Sequence, residues 1–187
     1  MEALKLEPIY TIEDIYALPE GVRAELIDGK LYYMASPTVT HQRILGDLLA
    51  TIHNYLKAKG GPCEVFPSSL GVFLEGDDST YLEPDIVVVC DPAKLENDKG
   101  CVGAPDWVIE ILSPSTASYD CIKKFNLYKK TGVSEYWIVD PQGKRIITTN
   151  FIDSDNDGIP PQYSFTDKIT VGIFDDLVID FEEFDLG

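Results

Sequence analysis

Two acidic residues lie at or within strand-like apolar runs in this chain, and acids in such places can bind a metal ion. Asp85 opens the run Ile86–Val89, and Glu110 stands in the middle of Trp107–Leu112. An ionised carboxylate inside a buried strand is costly unless it is paired, neutralised or bound to a metal. If the two strands are neighbours, the two carboxylates converge. Convergent carboxylates with water are the ligands that Mg²⁺ prefers.

A lysine follows on the next predicted element. Asp120, Lys124 and Tyr128 are spaced by four residues within 119–131, so on a helix they share one face. Lys124 can therefore reach back toward Glu110. A lysine beside a metal-held water orients that water or stabilises the charge that develops on phosphorus.

Each of these charges also has a simpler interpretation. Glu110 fits a structural buried pair with a basic residue, and Asp85 after Pro84 fits a turn residue that caps its strand. Asp120 and Lys124 fit a solvated helix pair worth about 0.3–0.5 kcal/mol. The metal-site interpretation depends on the order of the features: Pro-Asp, an apolar strand, a loop, a second strand with one acid, and a helix with lysine.

The hydrophobic periodicity predicts an α/β chain with a mixed central sheet and flanking helices. The apolar faces of Trp107–Leu112 alternate, so Glu110 shares its face with Val108 and Leu112. The predicted elements are a helix from a capping box at Thr11–Asp14 to Leu18, a hairpin over Ala24–Met34, a helix over 41–58 with Thr40 as N-cap, strands near 64–66, 70–74, 85–90 and 107–112, a helix over 119–131, and strands near 136–139, 145–149, 162–166 and 169–172.

The chain resembles the Uma2 family of endonucleases (DUF820), in the PD-(D/E)xK nuclease superfamily. The resemblance covers nearly the whole chain and is weakest beyond Thr149. The lysine that the superfamily motif places two residues after Glu110 is replaced by Leu112, and Lys124 stands where the family carries it instead. The matching segments are Pro84–Val89, Ala104–Thr116, Asp120, Lys124, Tyr128, Gly132–Val133 and Glu135–Pro141, with Ala24–Tyr32 and Ser36–His41 near the start.

The resemblance implies a single restriction-endonuclease-like domain over 1–187. We expect its core at about 24–150 and an acidic C-terminal extension at 151–187. It also implies Mg²⁺ (or Mn²⁺) held by Asp85, Glu110 and the carbonyl of Ile111, with Glu25 as a further ligand. The catalytic set is then Asp85, Glu110 and Lys124.

The implied activity is Mg²⁺-dependent hydrolysis of phosphodiester bonds in nucleic acid, with DNA expected rather than RNA, by a homodimer. Substrate contacts are expected from His41, Lys123, Tyr128 and Ser113. For His41, a polar residue that begins a helix is the alternative. Two other functions stay open: a nuclease-fold interaction or regulatory module with little activity, and a metal-dependent hydrolase of a small phosphate ester.

The charge of the chain limits how nucleic acid could bind. Lys and Arg number 15 against 32 Asp and Glu, for a formal net charge of −17. Such a chain repels phosphate at long range, so a broad nucleic-acid-binding surface is excluded. Residues 119–145 are the exception, with six basic and three acidic residues. We therefore expect a localised site, with poor binding of nonspecific duplex DNA.

The remaining motifs indicate little further chemistry. The four cysteines form no CxxC pair, so we expect scattered thiols in a reducing cytoplasm. No apolar run is long enough to span a membrane, and from the composition of residues 1–10 we expect no signal peptide. Residues 153–158 match only half of a Ca²⁺-binding EF-hand loop, and a polar loop is the simpler interpretation. Ser113 lacks the surroundings of a hydrolase nucleophile, and His53 is expected to pack within its helix.

Overall fold

The structure is a computed structural model. It describes residues 9–74, 76, 78–113, 119–152 and 159–186, and of residues 119–121 the backbone alone. The predicted loop at 153–158 and the side chain of Asp120 lie outside this description. In chain order the elements are α1 (Ile12–Tyr16), β1 (Ala24–Ile27), β2 (Lys30–Tyr33), α2 (Val39–Lys59), β3 (Glu64–Pro67), β4 (Val72–Phe73), β5 (Ile86–Val89), β6 (Cys101–Val102), β7 (Trp107–Ile111), α3 (Tyr119–Thr131), β8 (Glu135–Asp140), β9 (Arg145–Asn150), β10 (Gln162–Ser164), β11 (Lys168–Thr170) and β12 (Val178–Asp180).

A six-stranded mixed sheet forms the centre of the fold, in the order β10-β9-β8-β7-β5-β3. Strands β7 and β8 are parallel, and α3 connects them, because a parallel pair needs a long crossover. The other neighbouring pairs are antiparallel. This arrangement confirms the predicted α/β class with a mixed central sheet and flanking helices.

The two faces of the sheet are covered by different elements. Helix α2 packs on the face that carries Trp107, Ile109 and Ile111, and together they form one apolar cluster. Val108 points to the opposite face, where it packs with residues of α3. The alternation predicted for β7 is therefore confirmed, and it places Glu110 on the α3 side.

A separate hairpin, β1–β2, lies beside the central sheet. Asp28 and Gly29 have φ angles of 50° and 71°, the left-handed conformations that a tight two-residue hairpin turn needs. Leu26 exchanges two backbone hydrogen bonds with Tyr81, at 2.7 and 2.8 Å, and these attach the hairpin to the body of the protein. The predicted Asp-Gly hairpin is confirmed.

Two helix boundaries differ from the prediction. Helix α2 begins at Val39, because the Thr38 hydroxyl accepts the backbone N–H of His41 and serves as the N-cap in place of Thr40. Helix α1 ends at Tyr16 rather than Leu18. Among the described residues, no helix combines the length and apolar character that crossing a membrane requires.

The prediction of scattered thiols is wrong for two of the four cysteines. Cys63 and Cys90 form a disulfide, and they flank the paired residues Glu64 and Val89 of strands β3 and β5. The pairing of these strands brings together two cysteines that lie 27 residues apart in sequence. Cys101 is a free, buried thiol, and desolvation raises its pKa to about 11.

The last part of the chain contributes to the main core. Side chains from β11 and β12 and the residues around them are buried against the same cluster as α2. The Glu135 carboxylate anchors this segment, since it accepts hydrogen bonds from the Trp137 indole at 2.6 Å and the Ile173 backbone at 2.8 Å. The core residues from this segment are Ile169, Val171, Leu177, Ile179 and Phe181.

A substitution pair tests the role of this terminal segment. Ile179 is fully buried, whereas its neighbour Val178 is 46% exposed. We expect Ile179→Ala to lower the free energy of unfolding by about 2–5 kcal/mol, because it removes buried methyl groups and leaves a cavity. Val178→Ala should change it by less than about 0.5 kcal/mol. Urea denaturation measures both, and equal small losses would show that the segment is not part of the core.

Candidate active site

Asp85 and Glu110 face each other across two neighbouring strands. Ile86 pairs with Ile109 in the antiparallel β5–β7 ladder, so the next pair outward is Asp85 with Glu110. Directly opposed residues of an antiparallel pair project from the same face. The Asp85 Oδ2 atom accepts the backbone N–H of Ile111 at 2.8 Å, which fixes the carboxylate at the end of β7. The two acids predicted from the sequence are thus brought together.

The Lys124 ammonium lies between two carboxylates. Its Nζ atom is 3.0 Å from Glu110 Oε1, and it is 2.7 and 2.9 Å from the two carboxylate oxygens of Glu25. Lys124 is only 9% exposed, so solvent screens these contacts little. The contact between Lys124 and Glu110, expected from helical spacing, is present, and Glu25 shares the same lysine.

A second layer of hydrogen bonds holds Glu25 in place. Its Oε1 atom accepts the backbone N–H of Glu83 at 3.1 Å. The Glu83 carboxylate in turn accepts the Tyr81 hydroxyl at 2.8 Å and lies 2.6 Å from the Arg23 guanidinium. Sequence reasoning did not identify Arg23 or Glu83. The one available signal was that Glu83 precedes Asp85 by two residues.

Tyr128 and His41 each hold one of the two facing acids. The Tyr128 hydroxyl donates to Glu110 Oε1 at 3.0 Å, and its side chain is completely buried. His41, on the first turn of α2, places Nε2 3.1 Å from Asp85 Oδ1. Its Nδ1 atom is buried and has no hydrogen-bond partner in the described part of the chain. Both residues therefore orient carboxylates.

The balance of charge in this cluster perturbs its proton affinities. Burial raises the pKa of Glu110 to about 7, and the charges of Glu25 and Asp85 add to this, although Lys124 opposes it. Burial alone would lower the pKa of Lys124, but the Glu110 and Glu25 carboxylates outweigh it and raise the pKa. Burial and then Glu110 raise the pKa of Tyr128. Three carboxylates around one ammonium leave an excess of negative charge.

These acids line an open cleft between the β1–β2 hairpin, the start of α2 and the ends of β5 and β7. Ile111 and Ser113 also line the cleft. Lys123 lies beside it: its ammonium contacts the Tyr32 hydroxyl and sits 5.0 Å from the centre of the Tyr32 ring. His53 is exposed on α2 and lines a different depression, so the prediction of a packing role for it is wrong.

The donor set fits a partly hydrated divalent cation. Mg²⁺ is commonly held by one or two carboxylates together with water and phosphate oxygens. Asp85 and Glu110 provide two such carboxylates on one face, in a cluster with an excess of negative charge. Across the described ranges, no group of three or more His, Cys, Asp or Glu side chains is arranged to hold a metal. Both carboxylate oxygens of Glu25 contact Lys124. Asp85 and Glu110 are therefore better placed than Glu25 to bind an ion.

Comparisons with known proteins identify the family of this chain. The sequence model of the Uma2 family, described as "Putative restriction endonuclease", matches residues 12–167. Two relatives come from Synechocystis sp. and are named as uncharacterized proteins. One, slr1290, is 29% identical over 78% of this chain and 74% of its own length. The other, sll1609, is 27% identical over 63% of this chain and 66% of its own length.

A solved structure shares the fold. The crystal structure of a protein described as a putative nuclease belonging to DUF820, from Anabaena variabilis, superposes with a TM-score of 0.74. The match covers 92% of this chain and 96% of the other, at 22% sequence identity. The two chains thus share one architecture over nearly the whole length of each.

Removing the shared ammonium tests the electrostatics of the cluster. We expect Lys124→Met, studied with EDTA present, to lower the free energy of unfolding by about 3–5 kcal/mol at pH 8, because it leaves buried carboxylates without a cation. The loss should shrink toward pH 5. A carboxyl whose folded pKa is raised is protonated there, and its stabilisation is lost only as pH rises through that pKa.

The matched control is Lys129→Met, an exposed lysine in the last turn of the same helix, which should change stability by less than about 0.5 kcal/mol. Urea denaturation at the two pH values provides the comparison. A loss for Lys124→Met that is the same at pH 5 and pH 8 would contradict the assigned charge balance.

Proposed function

The chain belongs to the Uma2 family, and from this premise we propose that it is a Mg²⁺-dependent endonuclease. It hydrolyses phosphodiester bonds in nucleic acid, with DNA as the expected substrate. The observation that carries the proposal is the position of Lys124 beside the facing acids Asp85 and Glu110. An acid pair with an adjacent buried ammonium combines what metal-assisted phosphoryl transfer needs: anionic ligands for a cation and a fixed positive charge.

Asp85 and Glu110 would hold the ion, and the carbonyl of Ile111 is proposed as a third ligand. A bound Mg²⁺ supplies Lewis-acid polarisation of a phosphate oxygen and lowers the pKa of a bound water. His41 fixes Asp85 from one side, and Tyr128 fixes Glu110 from the other. The acids are thereby kept in one orientation.

Lys124 has the catalytic role of orienting the attacking water and stabilising the negative charge that develops on phosphate. Its high pKa keeps it protonated at neutral pH, so it acts as a fixed charge and not as a base. Glu25 holds the lysine through both carboxylate oxygens. The further role of Glu25 as a metal ligand requires Lys124 to give up part of this contact.

The four predicted substrate contacts differ in how well their positions support them. Ser113 and His41 line the cleft, and Lys123 lies at its edge beside Tyr32. Tyr128 is completely buried under Glu110, so its position supports an orienting role and not contact with a substrate. The homodimer and the cytoplasmic location stay predictions, and the Cys63–Cys90 disulfide weighs against a reducing compartment.

One observation favours the second candidate, an interaction module of nuclease fold. Lys124 pairs with both Glu25 and Glu110, and these ion pairs by themselves form a structural network. Such a network stabilises a fold without catalysis. The excess carboxylate and the open cleft above it favour the endonuclease, because a purely structural network gains nothing from an unbalanced negative charge.

Calorimetric titration with Mg²⁺ and then Mn²⁺, followed by incubation with single-stranded DNA, duplex DNA and RNA, distinguishes the candidates. The endonuclease requires metal binding and metal-dependent cleavage of at least one nucleic acid. Absence of metal binding would support the interaction module. Metal binding without cleavage of any nucleic acid would support a hydrolase of small phosphate esters.

Glu110→Gln is the single substitution that tests the metal-binding role of Glu110 most directly. The amide has nearly the same size and can still accept from Lys124 and Tyr128, but it is a poor Mg²⁺ ligand. We expect metal-dependent cleavage to fall by at least about 100-fold. The matched control is Glu64→Gln, an exposed acid on β3, which should leave cleavage unchanged. Cleavage by Glu110→Gln at the rate of the unmodified protein would contradict the assigned role.

A further inference from the structure

One edge of the cleft, like residues 119–145, differs in charge from most of this acidic protein. Residues 29–46, named here the lip, contain no Asp or Glu, although the whole chain has 32. The lip runs from the hairpin turn through β2 to the start of α2, and many of its residues line the cleft beside Asp85 and Glu110. The lip therefore adds no carboxylate of its own to the edge along which a phosphate chain can approach the acids.

The lip also carries fixed positive character. It contains Lys30 and Arg43, which lie outside the cleft lining, and Arg43 donates to the Leu186 carbonyl. The first turn of α2, which borders the cleft, has no acidic residue. A helix N-terminus without acids attracts anions through its backbone N–H groups. Lys123 of α3 adds a positive charge at the lip, where its ammonium lies over the Tyr32 ring.

An exposed aromatic ring stands on this lip. Tyr33 is 64% exposed and lines the cleft, with Met34 and Pro37 beside it on the same rim. It is paired in register with Ala24, a residue with a small side chain. An exposed ring next to a phosphate path is the arrangement with which proteins stack unpaired bases, because a base inside a duplex offers no free face.

We propose that the lip binds unpaired nucleotides, with a base stacked on Tyr33 and the phosphate chain running toward Asp85 and Glu110. The proposal rests on the endonuclease function above and specifies its substrate class: single-stranded nucleic acid, or a strand locally unpaired near the cut. The charge of the chain supports the same choice. A duplex would press two phosphate backbones against an acidic surface, whereas a single strand contacts only the lip.

Fluorescence anisotropy with labelled oligonucleotides of about 12 nucleotides tests this, with Ca²⁺ in place of Mg²⁺ so that binding is read without cleavage. The full-length protein should bind the single strand more tightly than the same sequence as a duplex. Tyr33→Ser should weaken single-strand binding by roughly 5- to 150-fold and leave duplex binding unchanged. Tyr33→Phe keeps the ring and should bind as the unmodified protein does.

The matched control is Tyr16→Ser, a tyrosine that is 59% exposed on α1 and does not line the cleft. Its single-strand affinity should equal that of the unmodified protein. Equal affinities for Tyr33→Ser and Tyr16→Ser, or a duplex that binds as tightly as the single strand, would overturn the inference. An oligoribonucleotide of the same sequence forms the second arm of the experiment. A loss of affinity on Tyr33→Ser in either arm supports stacking. A loss in one arm only shows whether the bound strand is DNA or RNA.

The two proposals fail in different ways. If the unmodified protein binds neither single strands nor duplexes, the endonuclease function and the stacking inference are both overturned. If it binds and cleaves nucleic acid but prefers the duplex, the endonuclease stands and only the stacking inference is overturned.

Discussion

The arrangement of the cleft depends on one shared charge, the Lys124 ammonium. It joins α3 to the β1–β2 hairpin through Glu25, and to the central sheet through Glu110. Without it, three buried carboxylates would face one another at a cost of several kcal/mol. One ammonium does not neutralise three carboxylates, and the remaining negative charge is the condition that favours a second cation. The contact that stabilises the site thus also prepares it for metal.

Part of this site could be predicted from the sequence because it violates a simple rule. Acids inside apolar strands are rare, so Asp85 and Glu110 could be identified by type and position alone, and helical spacing then predicted Lys124. The face of Glu110 followed from strand alternation. The mixed sheet and the helix over 119–131 were predictable from a different signal, the spacing of their apolar residues.

The remaining contacts depend on packing that no local pattern encodes. The partnership of Glu25 with Lys124 arises because the hairpin docks beside α3, and the Cys63–Cys90 disulfide arises because β3 pairs with β5. Neither pairing could be deduced from spacing. The prediction for His53 was wrong for a simpler reason. Successive residues of a helix point in different directions, so Ile52 faces the core while His53 faces solvent. The net charge of −17 argues against nucleic-acid binding when it is read from the sequence alone. The fold places the acid-free lip beside the cleft, and this position could not be read from the sequence.

The central claim is that Asp85 and Glu110 form a cation site next to a pre-positioned ammonium. The most direct measurement is anomalous diffraction from crystals of the protein soaked in Mn²⁺. The account predicts an anomalous peak between the Asp85 and Glu110 carboxylates, with Lys124 still bound to Glu25. Crystals without a peak there, or with Mn²⁺ bound elsewhere while Lys124 keeps both carboxylates, would contradict it.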